Sequence, residues 1–261
     1  MCLLLLAFDV VPGRPWLLLG NRDEFHARPT AAAHAWADAA GVVGGRDLQA
    51  GGTWLALNRN GRFAAVTNVR TGNAATAARS RGELVAQFLA GAQAPLDYAS
   101  AVAASRDQFG PFNLIVGDCA SAAGASSTRE QAWRFESGVH VLSNGPPGAG
   151  WPKVRRLGAA FSTMLQHGDS GPRAAMSAQD AELLDLLADT TGAADAELPH
   201  TGVGLELERR LAPMFIRGER YGTRASTLAY ARHDGACVMV ERGFGPDGAS
   251  LGEVRIEIQG G

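Results

Sequence analysis

Apolar residues in this chain come first in short unbroken runs, then at helical spacing, then in runs again. Residues 2–8 and 15–20 are apolar blocks separated by Val11-Pro12-Gly13-Arg14, a turn signal, and they predict a β-hairpin buried on both faces. Residues 25–30 read as irregular, and an alanine-rich linker follows them. Residues 41–45, 52–57 and 63–68 predict strands, the last two joined by Asn58-Arg59-Asn60-Gly61, whose Asn-Gly step favours a tight hairpin. Ser80-Arg81-Gly82-Glu83 has the S-x-x-E form of a helix start, and Leu84, Val85, Phe88 and Leu89 follow at helical spacing. A second helix is predicted from Leu96 to about Ser105. Strands resume at 112–117, 132–135 and 139–142, and amphipathic helices cover 151–165 and 178–187. The chain closes with strands at 223–231, 236–242 and 253–258, the first two flanking His233-Asp234-Gly235 as a hairpin. Strands and helices thus come in groups, which predicts an α+β fold of antiparallel sheets covered by helices. No fixed repeat and no convincing linker divides the chain, so residues 1–261 are read as a single domain.

Composition narrows the function classes. The 261 residues can bury a substantial core, and 46% hydrophobic against 19% charged is a globular balance. A net charge of −2 gives no basic groove for nucleic acid. No stretch approaches the ~18 uninterrupted apolar residues of a membrane span. The apolar start lacks the basic flank of a signal peptide, and Asp9 and Arg14 arrive early. Cys2, Cys119 and Cys237 are widely separated, and the six histidines show no H-E-x-x-H or close pair. Neither a disulfide framework nor a metal or cofactor site is expected, and a reducing cytoplasm is the compartment that fits.

The candidate chemistry gathers around the first hairpin. Methionine excision accepts a small second residue, so Cys2 can become the first residue of the mature chain. A terminal cysteine carries its own base: its amine titrates near about 7.7–8.0 and its thiol near about 8.5. The amine can take the thiol proton and return it to a leaving group. Taken alone, Cys2 reads first as a small hydrophobe in a first strand, and only its neighbours raise the nucleophile reading. Asn21-Arg22-Asp23-Glu24 places four polar groups at the end of a buried run, which demands that they pair or face a pocket. Within a regular strand Arg22 and Asp23 point to opposite faces, so both address one site only if the strand ends at Gly20. Asn68 and Asn144 each end an apolar strand, where an Asn serves either as a turn residue or as an oxyanion donor. Arg224 opens a late strand, where a surface arginine needs no special role.

Met1-Cys2, Gly20-Asn21-Arg22-Asp23-Glu24, Gly51-Gly52-Thr53-Trp54-Leu55, Thr67-Asn68-Val69-Arg70 and Phe112-Asn113-Leu114 form an ordered set. Ser143-Asn144, Trp151-Pro152-Lys153-Val154, Phe215-Ile216 and Tyr221-Gly222-Thr223-Arg224-Ala225-Ser226-Thr227 complete it. Together these pieces, spread over nearly the whole chain, resemble the NRDE family, also called the transport and Golgi organisation protein 2 family. The resemblance implies a branch of the N-terminal nucleophile hydrolases and their four-layer αββα sandwich. The nearest chemical analogy is with cysteine amidases such as the choloylglycine hydrolases. By motif, their catalytic roles fall on Cys2, Arg22, Asp23, Asn68, Asn144 and Arg224. Those amidases separate the Arg from the Asp, whereas here the two are adjacent, so Asn21 stands as a substitute. Asn21 and Arg70 are assigned to substrate binding. The implied activity is hydrolysis of a C–N amide bond in a small acylated substrate by Cys2, which requires loss of Met1. The alternative is a non-catalytic carrier of haem or an acyl-CoA-like lipid ligand.

Overall fold

A computed structural model of the chain describes residues 3–72, 77–167 and 174–260, so Cys2 lies outside the described residues. The first half contains β1 (Leu3–Val11), β2 (Arg14–Phe25), β3 (Thr30–Ala35), β4 (Val42–Asp47), β5 (Leu55–Asn58) and β6 (Phe63–Asn68). It continues with α1 (Gly82–Ala90), α2 (Pro95–Ala104) and β7 (Phe112–Gly117). The second half holds β8 (Ala122–Ser126), β9 (Trp133–Phe135), β10 (Gly138–Leu142), α3 (Pro152–His167), α4 (Ala174–Asp185) and α5 (Leu205–Arg210). It ends with β11 (Tyr221–Ala231), β12 (Cys237–Phe244) and β13 (Ser250–Ile258). Two antiparallel sheets result, ordered β10-β1-β2-β11-β12-β13 and β3-β4-β5-β6-β7-β8-β9.

Side-chain alternation along β1 and β2 shows how the layers stack. Leu4, Leu6, Phe8, Trp16 and Leu18 meet Trp54, Leu55, Leu57 and Phe63 of the other sheet in an inter-sheet core. Leu3, Leu5, Ala7, Leu17 and Leu19 point the opposite way, onto Leu157 and Phe161 of α3 and Leu183 and Leu184 of α4. The seven-stranded sheet packs its other face on α1 and α2 through Val66, Leu114, Val116, Leu84, Phe88 and Val102. Three cores between four layers make an αββα sandwich. Burying one Leu or Phe contributes about 1.5–3 kcal/mol. Strands sandwiched this way must be apolar on both faces, as the first hairpin is. Among the described residues, no helix is long and apolar enough to cross a membrane.

Several elements differ from the sequence reading. The second strand does not end at Gly20 but runs to Phe25, paired with β1 from Arg14 to Asn21 and with β11 from Leu17 to Phe25. The alanine-rich linker is β3, an edge strand with little of its own apolar pattern. Ala122-Ala123-Gly124-Ala125-Ser126 forms β8 although it lacks the bulky residues that mark a strand. Its size is dictated from outside: a Cβ on Gly124 would stand 2.2 Å from the Trp133 ring. The short α5 was also missed. The Ser80–Glu83 start forms in half: Ser80 N donates to Glu83 Oε1 at 2.9 Å, but Ser80 Oγ accepts from Gly82 N at 3.3 Å and the helix caps at Arg81 without a side-chain bond. Gly61, in the hairpin turn between β5 and β6, has φ +74°, the left-handed conformation that turn requires.

Candidate functional site

The polar cluster at the end of β2 stays in strand geometry, so its members divide between two faces. Asn21 points toward the helices. Its Nδ2 donates to the carbonyls of Leu187 (2.9 Å) and Met214 (2.8 Å), and its Oδ1 accepts from Ser226 Oγ at 2.6 Å. Arg22 points the other way, across the sandwich. Its Nη1 donates to Thr30 Oγ1 at 3.1 Å, and its guanidinium lies 4.4 Å over the Trp54 ring. Only 3% of Arg22 is exposed, and its ion-pair partner among the described residues, Asp47, stands 3.9 Å away. Burial holds its pKa below the ordinary value, against the pull of Glu24 and Asp47. Asp23 accepts from Thr223 Oγ1 at 2.7 Å. Glu24 caps the strand end, accepting from Phe25 N at 2.9 Å.

Arg22, Asp23 and Glu24, but not Asn21, line a cavity of ≈ 420 Å³ at one end of the sandwich, walled by both sheets and by the segment entering α1. Arg22, Asp23, Thr53, Trp54, Thr67 and Asn68 form part of its wall, and Phe25 and Tyr221 also line it. Four arginines (Arg22, Arg28, Arg79, Arg81) face three carboxylates (Asp23, Glu24, Asp47) around it. Arg28 occupies Asp47, with Nε and Nη2 each 2.8 Å from Oδ2. Arg79 is held by Glu83 at 3.2 Å and Arg81 donates to Pro111 O at 3.2 Å, so these charges are largely paired within the protein. Among the described residues no cluster of three or more His, Cys, Asp or Glu could hold a metal ion.

The remaining candidates are distributed around this wall. Asn68 lines the cavity, while Asn144 stands behind it, its Nδ2 donating to Asn68 O and Asn68 Oδ1, both at 2.8 Å. Arg70, assigned to substrate binding from the sequence, instead pairs with the buried Glu208 at 2.5 Å and does not line the cavity. Glu208 also accepts from Thr201 N and Thr201 Oγ1. Burial pushes its carboxyl up, and the Thr201 and Arg70 contacts outweigh that, leaving it below the usual range. Asn21, the other substrate-binding assignment, is committed to backbone carbonyls on the helix side. Arg224 occupies a β-bulge between Thr223 and Ala225, and its Nη1 donates to the carbonyls of Phe25 (3.1 Å) and Arg28 (2.9 Å). It grips the chain leaving β2 and is not among the cavity-lining residues.

Two residues that sequence reasoning passed over brace the site. Asn113 is buried on β7; its Nδ2 donates to Ser143 O (3.1 Å) and Gly145 O (2.9 Å), which flank Asn144. An amide inside the apolar run Phe112–Gly117 was the signal available for it. Glu241 on β12 is buried between the sheets, accepting from Ala33 N at 2.7 Å and Thr227 Oγ1 at 3.1 Å. Burial pushes its carboxyl above the usual range, opposed by those two donors and by Arg22.

A family model described as Transport and Golgi organisation 2 matches residues 1–246. The transport and Golgi organization protein 2 homologue of Bos taurus is 32% identical, the match covering 93% of this chain and 92% of the relative. The Homo sapiens homologue is 28% identical over the same shares, and the Drosophila melanogaster protein 29% identical over 72% of each. Among solved structures, a C2A mutant of conjugated bile acid hydrolase from Clostridium perfringens superposes with TM-score 0.53 at 9% identity. That match covers 99% of this chain and 92% of the other. A Caenorhabditis elegans orthologue of N-acylethanolamine-hydrolyzing acid amidase gives TM-score 0.50 at 12% identity, covering 87% and 92%. At these identities the structural likeness establishes the fold, which is that of the N-terminal nucleophile hydrolases.

Proposed function

The chain belongs to the Transport and Golgi organisation 2 family, and on that premise we propose that it is a cysteine amidohydrolase. Its substrate is a small acylated compound with a C–N amide bond, and its nucleophile is Cys2 after removal of Met1. The observation that carries this reading is where β1 begins. Leu3 pairs with Asn21, one residue before Arg22 and Asp23 of the cavity wall, and Cys2 is bonded to Leu3. Two proteins of the same fold are named as hydrolases of conjugated bile acids and of N-acylethanolamines, which supports the reaction class.

The chemistry follows from the groups present. Cys2 Sγ adds to the amide carbonyl carbon while the α-amine takes the thiol proton. The amine then protonates the departing nitrogen, the C–N bond breaks, and a thioester remains for water to hydrolyse with the same amine as base. Arg22, desolvated and 3.9 Å from Asp47, favours an anion in the cavity, either thiolate or oxyanion. Asp23, held by Thr223, orients the terminal ammonium. Asn68 contributes an oxyanion contact, with Asn144 fixing it from behind. Arg224 acts at one remove, through the chain after β2.

Intact-mass measurement of the purified chain and hydrolysis of a panel of N-acyl compounds test the proposal. The expected result is loss of Met1, turnover of at least one compound, and no turnover by Cys2→Ala. A mature chain that keeps Met1, or a Cys2→Ala variant as fast as wild type, sinks it.

A further inference from the structure

The cavity wall is polar, yet its lip carries an aromatic surface open to water. Phe25 ends β2 and is 55% exposed, and its ring meets Tyr221 edge-on with centroids 5.1 Å apart. The two are register partners at the ends of β2 and β11, and both line the cavity. The backbone holds Phe25 in this position. Its N–H donates to Glu24 Oε1, and its carbonyl accepts from Arg224 Nη1 and from Arg28 N at 3.1 Å each. The next residue is tied as well, with His26 N donating to Arg220 O at 3.0 Å. Leu48, 60% exposed, follows the cavity-lining Asp47, and its N–H donates to Pro29 O.

We propose that Phe25 and Tyr221 form a sill on which the hydrocarbon chain of an amphiphilic ligand lies while its polar end enters the cavity. The inner wall of Arg22, Asp23, Thr67 and Asn68 suits a polar or anionic group and offers a long alkyl chain little. An aromatic pair of which Phe25 is exposed and Tyr221 half-buried, beside such a wall, is the part of the site that gains by being covered. Ligand pockets combine an apolar surface with a few orienting polar groups, and here the two are separated into lip and interior. The bulge at Arg224 then has a use: it anchors the strand end that carries Phe25. This inference rests on the reading of the cavity as the substrate site, and it does not require turnover.

Calorimetric titration of the full chain carrying Cys2→Ala tests it, with N-butanoylglycine and N-dodecanoylglycine as probes below their aggregation concentrations. The dodecanoyl probe is expected to bind at least about tenfold more tightly, since each buried methylene contributes and only part of the chain is covered. Phe25→Ser should bring the affinity ratio of the two probes toward one, and Phe25→Leu should keep most of it. Thermal melts of both variants are expected to match the parent, because the ring is largely in water. Equal affinities for the two probes, an unchanged ratio in Phe25→Ser, or binding of neither probe overturns the sill. A wild-type chain that shows the chain-length dependence but hydrolyses no N-acyl compound removes the amidase reading and leaves the sill standing.

Discussion

Asn21 offers the sharpest separation between a structural and a catalytic residue in this protein. Its side chain makes three buried hydrogen bonds, to the carbonyls of Leu187 and Met214 and from the hydroxyl of Ser226. Asn21→Ala leaves all three partners in a dry layer without an answering group. An orphaned buried polar group costs about 1–3 kcal/mol. The Ser226 hydroxyl can rotate to another acceptor, so the two carbonyls sum to roughly 2–6 kcal/mol, a large part of the ~5–15 kcal/mol that holds a domain folded. Urea unfolding followed by tryptophan fluorescence should show the midpoint fall with the slope unchanged. Asn21→Asp keeps the shape but turns a carboxylate toward two carbonyls, which raises its folded pKa above the unfolded value near about 3.9. A raised carboxyl stabilises most below its unfolded pKa, and that contribution is lost as pH rises through the folded pKa. The Asp variant should therefore fall further below wild type at pH 8 than at pH 5. An Asn21→Ala chain within about 1 kcal/mol of wild type would refute the tether, and loss of ligand binding in such a chain would return Asn21 to the site.

Three further outcomes follow from buried groups. Arg70→Ala should destabilise by about 3–5 kcal/mol at pH 7 by stranding Glu208, and thermal melts should show the deficit. Because the folded pKa of Glu208 is depressed, the pair's contribution exists above the unfolded pKa. It disappears as pH falls through the folded one, so the deficit should narrow toward pH 3. Glu241 is the reverse case: wild type should lose stability as pH rises through its elevated pKa, and melts of Glu241→Gln across that range should be flatter. Parallel curves for Glu241→Gln and wild type would dismiss that account. Gly52→Ala places a methyl 2.5 Å from the Gly82 carbonyl carbon, backbone against backbone, and should cost about 1–3 kcal/mol by displacing the start of α1, read as a lower melting temperature.

The grouping of strands and helices was legible because buried strands and amphipathic helices leave different apolar spacings, as in Leu3–Ala7 against Leu84–Leu89. What escaped was set by distant partners. Polarity after Gly20 suggested an ending, yet the strand continues because Ser226 and Thr223, some 200 positions later, answer Asn21 and Asp23. β3 lies at a sheet edge and β8 is kept small by Trp133, so neither carries the bulky alternation that marks a strand. At the site, the tetrad's importance was visible but its division was not. A regular strand was expected to keep Arg22 and Asp23 from sharing one site, yet the strand runs on to Phe25 and both line the same cavity. The pairing of Asn68 with Asn144 joins positions 76 residues apart, and only the folded sheets bring them together.

The alternation in β2 also says what kind of change this chain can accommodate. Each member of Asn21-Arg22-Asp23-Glu24 owes its surroundings to the phase of a strand flanked by β1 and β11. Deleting one residue between Trp16 and Asn21 would exchange the faces, sending the Arg22 guanidinium toward the Leu187 and Met214 carbonyls and the Asp23 carboxylate onto the Trp54 ring. A length change in the Pro12-Gly13 turn, outside the paired positions of β1 and β2, would leave the phase alone. Insertions should therefore be absorbed at the hairpin tip and lethal five residues further on.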